Sequence, residues 1–107
     1  MKYLFNSAGN WIAFKIDLYL YSTNSEWIGW FPWEDEHAVD KKGNYLGSIF
    51  EDRFYKINGF PNRGNPGNPG NPGNPGNPGS PGNAGYSSLV SGSIDFTPEA
   101  LNTKANQ

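Results

Sequence analysis

Glycine recurs at every third position from Gly64 to Gly85, and this repeat constrains the fold more than any other feature of the chain. Asparagine follows most of these glycines, and proline takes the third place in six triplets. No apolar side chain larger than proline occurs in the repeat, so it cannot build a hydrophobic core. The sequence therefore predicts a folded domain over residues 1–60, a low-complexity spacer over residues 61–85 and a short tail over residues 86–107.

Two conformations compete for the repeat. Three chains with glycine in every third place can wind into a collagen triple helix, because only glycine fits at the crowded axis. A single chain of this composition would instead form a solvated spacer between polyproline II and Asn-Pro-Gly-Asn type II turns. At about 3.1 Å per residue such a spacer would extend to about 65 Å. We expect the extended or disordered spacer, with a collagen-like homo-oligomer as the alternative.

The composition excludes several classes of function. There is no cysteine and only one histidine, so neither a disulfide framework nor a zinc site is expected. A net charge of −2 argues against nucleic acid as a partner. No apolar run approaches the length of a transmembrane segment, and no signal peptide is evident, so a cytoplasmic location is the default expectation. No cofactor is expected.

The first sixty residues contain fifteen of the seventeen aromatic residues and read as short strands joined by turns. The expected strands are residues 2–6, 10–15, 18–21, 26–31, 37–40 and 44–50, with residues 53–57 opening a further hairpin. A helix over residues 33–42 competes with the fifth strand, because Pro32 and Gly43 are suitable boundaries for a helix. We prefer the hairpin because of an internal repeat.

A shift of 34 residues aligns residues 9–13 with residues 43–47, and residues 26–29 repeat the same aromatic, aliphatic and small pattern. Each unit is one hairpin, so the fold class is all-β with pseudo-symmetry. The repeat-core positions are Trp11, Trp27, Tyr45, Ala13, Gly29 and Gly47. Small residues at three of these positions would let backbones approach closely. A strand at residues 93–96 would complete the fourth unit.

These repeated hairpins and turns resemble the bacterial 4-fold beta flower proteins. The residues that carry the resemblance are Tyr3–Phe14, Leu18–Tyr21, Trp27–Phe31, Asp40–Ile49, Tyr86–Leu89 and Asp95–Phe96. The resemblance implies β-hairpin petals around a pseudo-four-fold axis, an arrangement likened to the lipid-binding Tubby domain, and it implies no established activity. The uncharged Gly-Asn-Pro repeat departs from the family, whose tails are often rich in lysine and proline.

The sequence offers little for catalysis or metal binding. His37 lies in an acidic stretch with Glu34, Asp35, Glu36 and Asp40, but no second histidine or cysteine supports a metal site. A hydrolase that uses His37 and Asp40 would need a nucleophile, and no serine or threonine stands at a recognised spacing. We therefore expect that the protein is not an enzyme and that it has no metal site.

The tryptophans are the residues most typical of a binding function. Trp30, Phe31 and Trp33 flank a proline, and alternation along a strand cannot bury all the aromatic residues of this stretch. An exposed cluster of this type suits a lipid surface or a protein partner. We expect Trp30, Phe31 and Trp33 to form the binding face of a non-enzymatic binding or scaffolding module. Trp11 and Trp27 are expected in the core.

Overall fold

Seven short strands form one antiparallel meander that closes on itself in the computed structural model, which describes residues 1–107. The strands are β1 (Lys2–Phe5), β2 (Trp11–Ile16), β3 (Tyr19–Ser22), β4 (Trp27–Trp30), β5 (His37–Asp40), β6 (Tyr45–Phe50) and β7 (Arg53–Ile57). A parallel contact between Phe5 of β1 and Arg53 of β7 completes the barrel. The all-β prediction is confirmed, and β5 takes the place of the competing helix.

Three hairpins, β1–β2, β3–β4 and β5–β6, have the same type of turn, and we call them the first, second and third petals. The first residue of each turn, Asn6, Ser22 or Asp40, accepts hydrogen bonds from backbone N–H groups through its side-chain oxygen. Asp40 Oδ1, for example, accepts at 2.9 Å from the N–H of Lys42 and at 3.0 Å from that of Asn44. The fourth residue of each turn has a positive φ. Short polar side chains that bond their own backbone are what such turns require.

The small repeat positions lie in β2, β4 and β6, where neighbouring backbones come close. A Cβ atom on Gly29 would stand 2.3 Å from the Val39 carbonyl oxygen, and one on Gly47 would stand 2.8 Å from the Phe54 ring. Trp11 and Trp27 reach over these positions, each donating its indole N–H at 2.8 Å to the carbonyl two residues along, that of Ala13 and of Gly29. This crowding explains why positions 29 and 47 are glycine.

The hydrophobic core fills the interior of the barrel with aliphatic residues and two phenylalanines. It consists of Leu4, Ile12, Ala13, Leu20, Ile28, Phe31, Ala38, Leu46, Ile49, Phe54 and Leu101. Apart from Phe31 and Leu101, these residues lie on the strands that carry the repeat. The repeat positions Trp11, Trp27 and Tyr45 are half-buried and lie outside this core, which corrects the expectation for the two tryptophans.

The tail returns to the domain after the repeat. A two-residue strand, β8 (Ser93–Ile94), pairs antiparallel with β7, and a short helix, α1 (Pro98–Asn102), and a 3₁₀ helix (Thr103–Asn106) follow. Leu101 of α1 is fully buried in the core, and the Phe96 ring stacks on Phe54 with 5.5 Å between centroids. The tail therefore supplies part of the core of the β domain.

The repeat runs around the rim of the barrel, and residues 64–85 are called the belt below. Its six prolines are all half-buried, whereas its glycines and asparagines are all exposed. Tyr19 and Tyr3 donate hydroxyl hydrogen bonds to the carbonyls of Pro69 at 3.0 Å and Pro78 at 2.7 Å. The radius of gyration of the whole chain is 12.8 Å, close to the ~13 Å of a compact domain of this length. The expectation of an extended spacer is therefore corrected.

Each belt triplet is a small turn. The glycine N–H donates to the Oδ1 of the asparagine two residues before it, at 2.8 or 2.9 Å in each triplet from Asn62 to Gly79. The belt glycines have φ between 75° and 85°, whereas polyproline II and the collagen chains built on it need about −75°. These glycine angles match the type II turn and differ from polyproline II.

Candidate functional site

The structure separates the three residues expected to form the binding face. Trp30 is only 8 % exposed and Phe31 is fully buried, so neither presents an aromatic surface to a partner. The Phe31 N–H donates to the Leu18 carbonyl at 2.8 Å, which turns the Phe31 ring into the core beneath the Lys15 ammonium. Trp33, three residues after the end of β4, is half-buried and remains accessible.

Trp33 lines a cleft with Tyr45, Phe60 and Arg63, which we call the Trp33 cleft. The Phe60 ring stacks nearly parallel on Tyr45, with 4.0 Å between the centroids and an angle of 10°. The Arg63 guanidinium lies 4.5 Å from the centre of the Trp33 ring and 5.8 Å from that of Phe60. The cleft has a volume of about 180 Å³, room for one ring or one medium-sized side chain.

Asp35 fixes the charged side of this cleft. Its carboxylate accepts a hydrogen bond from Arg63 at 2.8 Å and another from the His37 N–H at 3.0 Å. Burial acts to raise the pKa of Asp35, but the hydrogen bonds from His37 and Arg63 outweigh it and hold the pKa below its usual range. Asp35 therefore stays ionised and keeps the Arg63 guanidinium over Trp33.

His37 and Ser48 form a hydrogen-bonded pair behind the cleft. His37 Nδ1 lies 2.6 Å from Ser48 Oγ, which also lies 2.7 Å from the Tyr45 hydroxyl. The Tyr45 hydroxyl in turn accepts from the Ile57 N–H at 3.0 Å. Ser48 is buried and has no open side from which a substrate could approach. The chain of hydrogen bonds therefore links β5, β6 and β7 and orients the Tyr45 ring.

The acidic side chains around His37 do not point toward a common site. Asp40 points its carboxylate into its own turn, where two backbone N–H groups hold it, and Asp35 faces Arg63. No group of three histidine, cysteine, aspartate or glutamate side chains is placed to hold a metal ion.

Phe60 and Arg63 belong to the cleft although sequence reasoning did not select them. Both lie in the stretch between β7 and the belt, which was assigned to the end of the domain and the start of the spacer. An arginine shortly after an aromatic residue and a proline is the only local signal. The approach of this stretch to Trp33 depends on the path of the belt, which sequence alone does not reveal.

Comparisons with known proteins give one match. A family model described as 4-fold beta flower protein matches residues 1–93. No curated protein and no solved structure matched the chain. The helices are too short and too polar to cross a membrane.

Proposed function

We propose that this chain, which belongs to the 4-fold beta flower family, is a non-enzymatic binding module. Its Trp33 cleft takes a proline-containing segment of a protein partner. The observation that carries the proposal is the set of three aromatic rings, Trp33, Tyr45 and Phe60, around a cleft of about 180 Å³. Clefts lined by aromatic rings are the surfaces that bind proline-rich segments.

The rim of the domain already provides a form of proline recognition within the chain. The prolines of the belt face the barrel, and two tyrosine hydroxyls donate to proline carbonyls, Tyr19 to Pro69 and Tyr3 to Pro78. The Trp33 cleft lies where the belt begins, at Arg63 and Gly64. It offers the same kind of aromatic surface at a place that the belt prolines leave open.

A lipid surface is less well supported as the ligand of this cleft. Membrane docking through aromatic residues needs large apolar side chains that protrude. The exposed large apolar residues lie elsewhere, at Met1, Tyr86, Leu89, Val90 and Ile94. The collagen-like alternative has less support, because the belt glycines have φ of the opposite sign to that of a triple helix.

The test is a titration of the full chain with a synthetic peptide of six Asn-Pro-Gly triplets and with a second peptide in which alanine replaces proline. We expect shifts of the Trp33 indole signal in ¹H–¹⁵N spectra with the first peptide only. Trp33→Ala should weaken binding by about tenfold or more, as expected for an aromatic side chain that the bound peptide covers. Tyr86→Ala, which removes an exposed aromatic residue outside the cleft, should leave the affinity unchanged.

Three outcomes would contradict the proposal. Equal affinity of both peptides would exclude proline recognition, and equal affinity of Trp33→Ala and the unmodified chain would exclude the cleft. Co-sedimentation with neutral and anionic liposomes forms the third arm: binding to liposomes that depends on Trp33 would assign the cleft to lipid. The unfolding midpoint of each variant in urea shows whether the domain is still folded.

A further inference from the structure

The belt leaves an opening where it passes the turn between β5 and β6, which we call the third-petal window. It has a volume of about 590 Å³ and lies between Trp27, Lys41 and Lys42 on the domain and residues 65–71 of the belt. No aspartate or glutamate lines it. In a chain with a net charge of −2, a space lined by two lysines and no acid is an unusual local concentration of positive charge.

The pseudo-symmetry of the petals shows that the turn does not require these lysines. The second and third residues of the turn are Ser7 and Ala8 in the first petal, Thr23 and Asn24 in the second, and lysines in the third. All three turns have the same hydrogen bonds, made by the backbone and by the first residue of the turn. The positive charge therefore belongs to the third petal alone and is independent of the fold.

The belt adds neutral donors to the same window. Asn65, Asn68 and Asn71 line it, and each uses its Oδ1 to accept the N–H of the glycine two residues later at 2.9 Å. Because the oxygen of each amide is engaged in this way, its Nδ2 donor group points away from the turn. None of these three Nδ2 groups has an acceptor within the protein. The asparagines thus present hydrogen-bond donors rather than acceptors.

Neither lysine is neutralised by an ion pair. Lys41 Nζ donates to the Ala105 carbonyl at 2.6 Å and lies 5.6 Å from the centre of the Trp27 ring. Lys42 is exposed, and the two ion pairs of the chain involve Arg53 and Arg63 instead. The nearest carboxylate in sequence, Asp40, is buried beneath the turn and held by backbone N–H groups.

We infer that the third-petal window binds a small ligand through a phosphate group, which Lys42, Lys41 and the asparagine Nδ2 groups would hold. A phosphate monoester offers three acceptor oxygens and a negative charge, which suits two lysine ammonium groups and the free Nδ2 donors of three asparagines. The organic part of the ligand would lie against the half-buried Trp27 ring. This site is separate from the Trp33 cleft and uses none of its aromatic residues.

The first test uses calorimetric titration of the full chain with inorganic phosphate and with phenyl phosphate at low ionic strength. We expect saturable binding of both, tighter for phenyl phosphate, and weakening as salt is added because the charges are screened. Lys42→Gln should weaken binding at least threefold. Asn68→Asp should weaken it at least tenfold, because the new carboxylate still accepts the Gly70 N–H while a donor is replaced by a negative charge.

The chain supplies matched controls. Asn74 makes the same turn as Asn68, because its Oδ1 accepts a hydrogen bond from the Gly76 N–H at 2.8 Å. It lines the corresponding opening beside the turn of the second petal, together with Thr23 and Ser25. No charged residue lines that second opening, which has a volume of about 500 Å³. Asn74→Asp and Lys56→Gln, a change at an exposed lysine of β7, should both leave the affinity for phosphate unchanged.

Vesicles of phosphatidylcholine with and without phosphatidic acid distinguish the source of the phosphate group. Binding to phosphatidic acid vesicles that is weakened at least threefold in Lys42→Gln assigns the window to a lipid headgroup, whereas binding of phenyl phosphate without vesicle binding assigns it to a soluble ligand. Absence of saturable binding to every probe would overturn the inference. Equal weakening by Asn68→Asp and Asn74→Asp would also overturn it, since it would indicate a response to net charge alone.

Discussion

Replacing Leu101 by alanine tests whether the tail is part of the folded domain. Leu101 follows the belt in sequence, yet its side chain is fully buried among core residues of the barrel. The helix that carries it, α1, is capped by Thr97, whose hydroxyl accepts from the Ala100 N–H at 3.2 Å. Truncation of the side chain therefore leaves a cavity in the core of the domain.

The magnitude follows from the burial. Leu101→Ala removes three carbon atoms, worth roughly 2.4 kcal/mol of transfer free energy at about 0.8 kcal/mol for each. The remaining cavity adds about 24 cal/mol for each Å³ that does not collapse, so the free energy of unfolding should fall by about 2.5–4 kcal/mol. A domain of this length has roughly 5–15 kcal/mol in total, so the loss is a large fraction of its stability.

Urea denaturation followed by tryptophan fluorescence measures the effect. With a slope of about 1–3 kcal/mol per molar urea, the midpoint should fall by about 1 M or more. Leu89→Ala is the matched control, a leucine of the same tail that is 39 % exposed, and it should change stability by no more than about 0.5 kcal/mol. A loss in Leu101→Ala as small as that of the control would refute the packing of the tail in the core.

Three further predictions follow from the same contacts. The Tyr55 hydroxyl is buried without a hydrogen-bond partner, so Tyr55→Phe should leave the free energy of unfolding unchanged or raise it by up to about 1 kcal/mol. The hydroxyl of Tyr45 is hydrogen-bonded, so Tyr45→Phe should lower the free energy of unfolding by about 1 kcal/mol. A loss of stability in Tyr55→Phe, measured by the same urea titration, would contradict the absence of a partner. Gly29→Ala places a Cβ 2.3 Å from the Val39 carbonyl oxygen and should cost about 2 kcal/mol or more in thermal or urea unfolding; a neutral result would show that β4 and β5 are farther apart. The hydrogen bonds from His37 and Arg63 lower the pKa of Asp35 in the folded chain, so they stabilise the fold above the ordinary carboxyl pKa of about 4. This contribution is lost as the pH falls through the lower folded pKa. Asp35→Asn should remove that part of the acid dependence of unfolding, and an unchanged acid profile would contradict these hydrogen bonds.

The fold was largely predictable because the same local rules recur in each petal. Alternation of aromatic and aliphatic residues, a turn with a short polar first residue, and a small residue two places after the aromatic one repeat along the first fifty residues. Each of these signals acts over a few residues, so it can be read without knowing the tertiary structure. The family match over residues 1–93 confirms the beta flower assignment.

The cleft that we propose as the binding site was harder to predict, because the burial of a side chain depends on the direction in which the backbone leaves a strand. Alternation along β4 does not show that the backbone of Phe31 bonds to Leu18 and directs its ring inward. Likewise, no local sequence pattern indicates that the Arg63 guanidinium lies over the Trp33 ring, since that contact depends on tertiary packing. The cleft therefore contains one of the three expected residues together with partners that only the structure identifies.

The belt was misjudged for a related reason, and the contacts at its ends explain how so polar a segment stays on the domain. Arg63 anchors the start through Trp33 and Asp35, and Arg53 anchors the end by donating to the carbonyls of Gly85 at 2.7 Å and Ala84 at 3.3 Å. With both ends fixed, the closure entropy of the 22 residues between them depends only weakly on length: removing one triplet changes it by about 0.1 kcal/mol. The belt can therefore keep its weak contacts along the rim without strong interactions in its middle. Its composition sets the local turns, while two arginines outside the regular triplets fix its ends and the hydroxyl groups of Tyr19 and Tyr3 hold Pro69 and Pro78 on the rim.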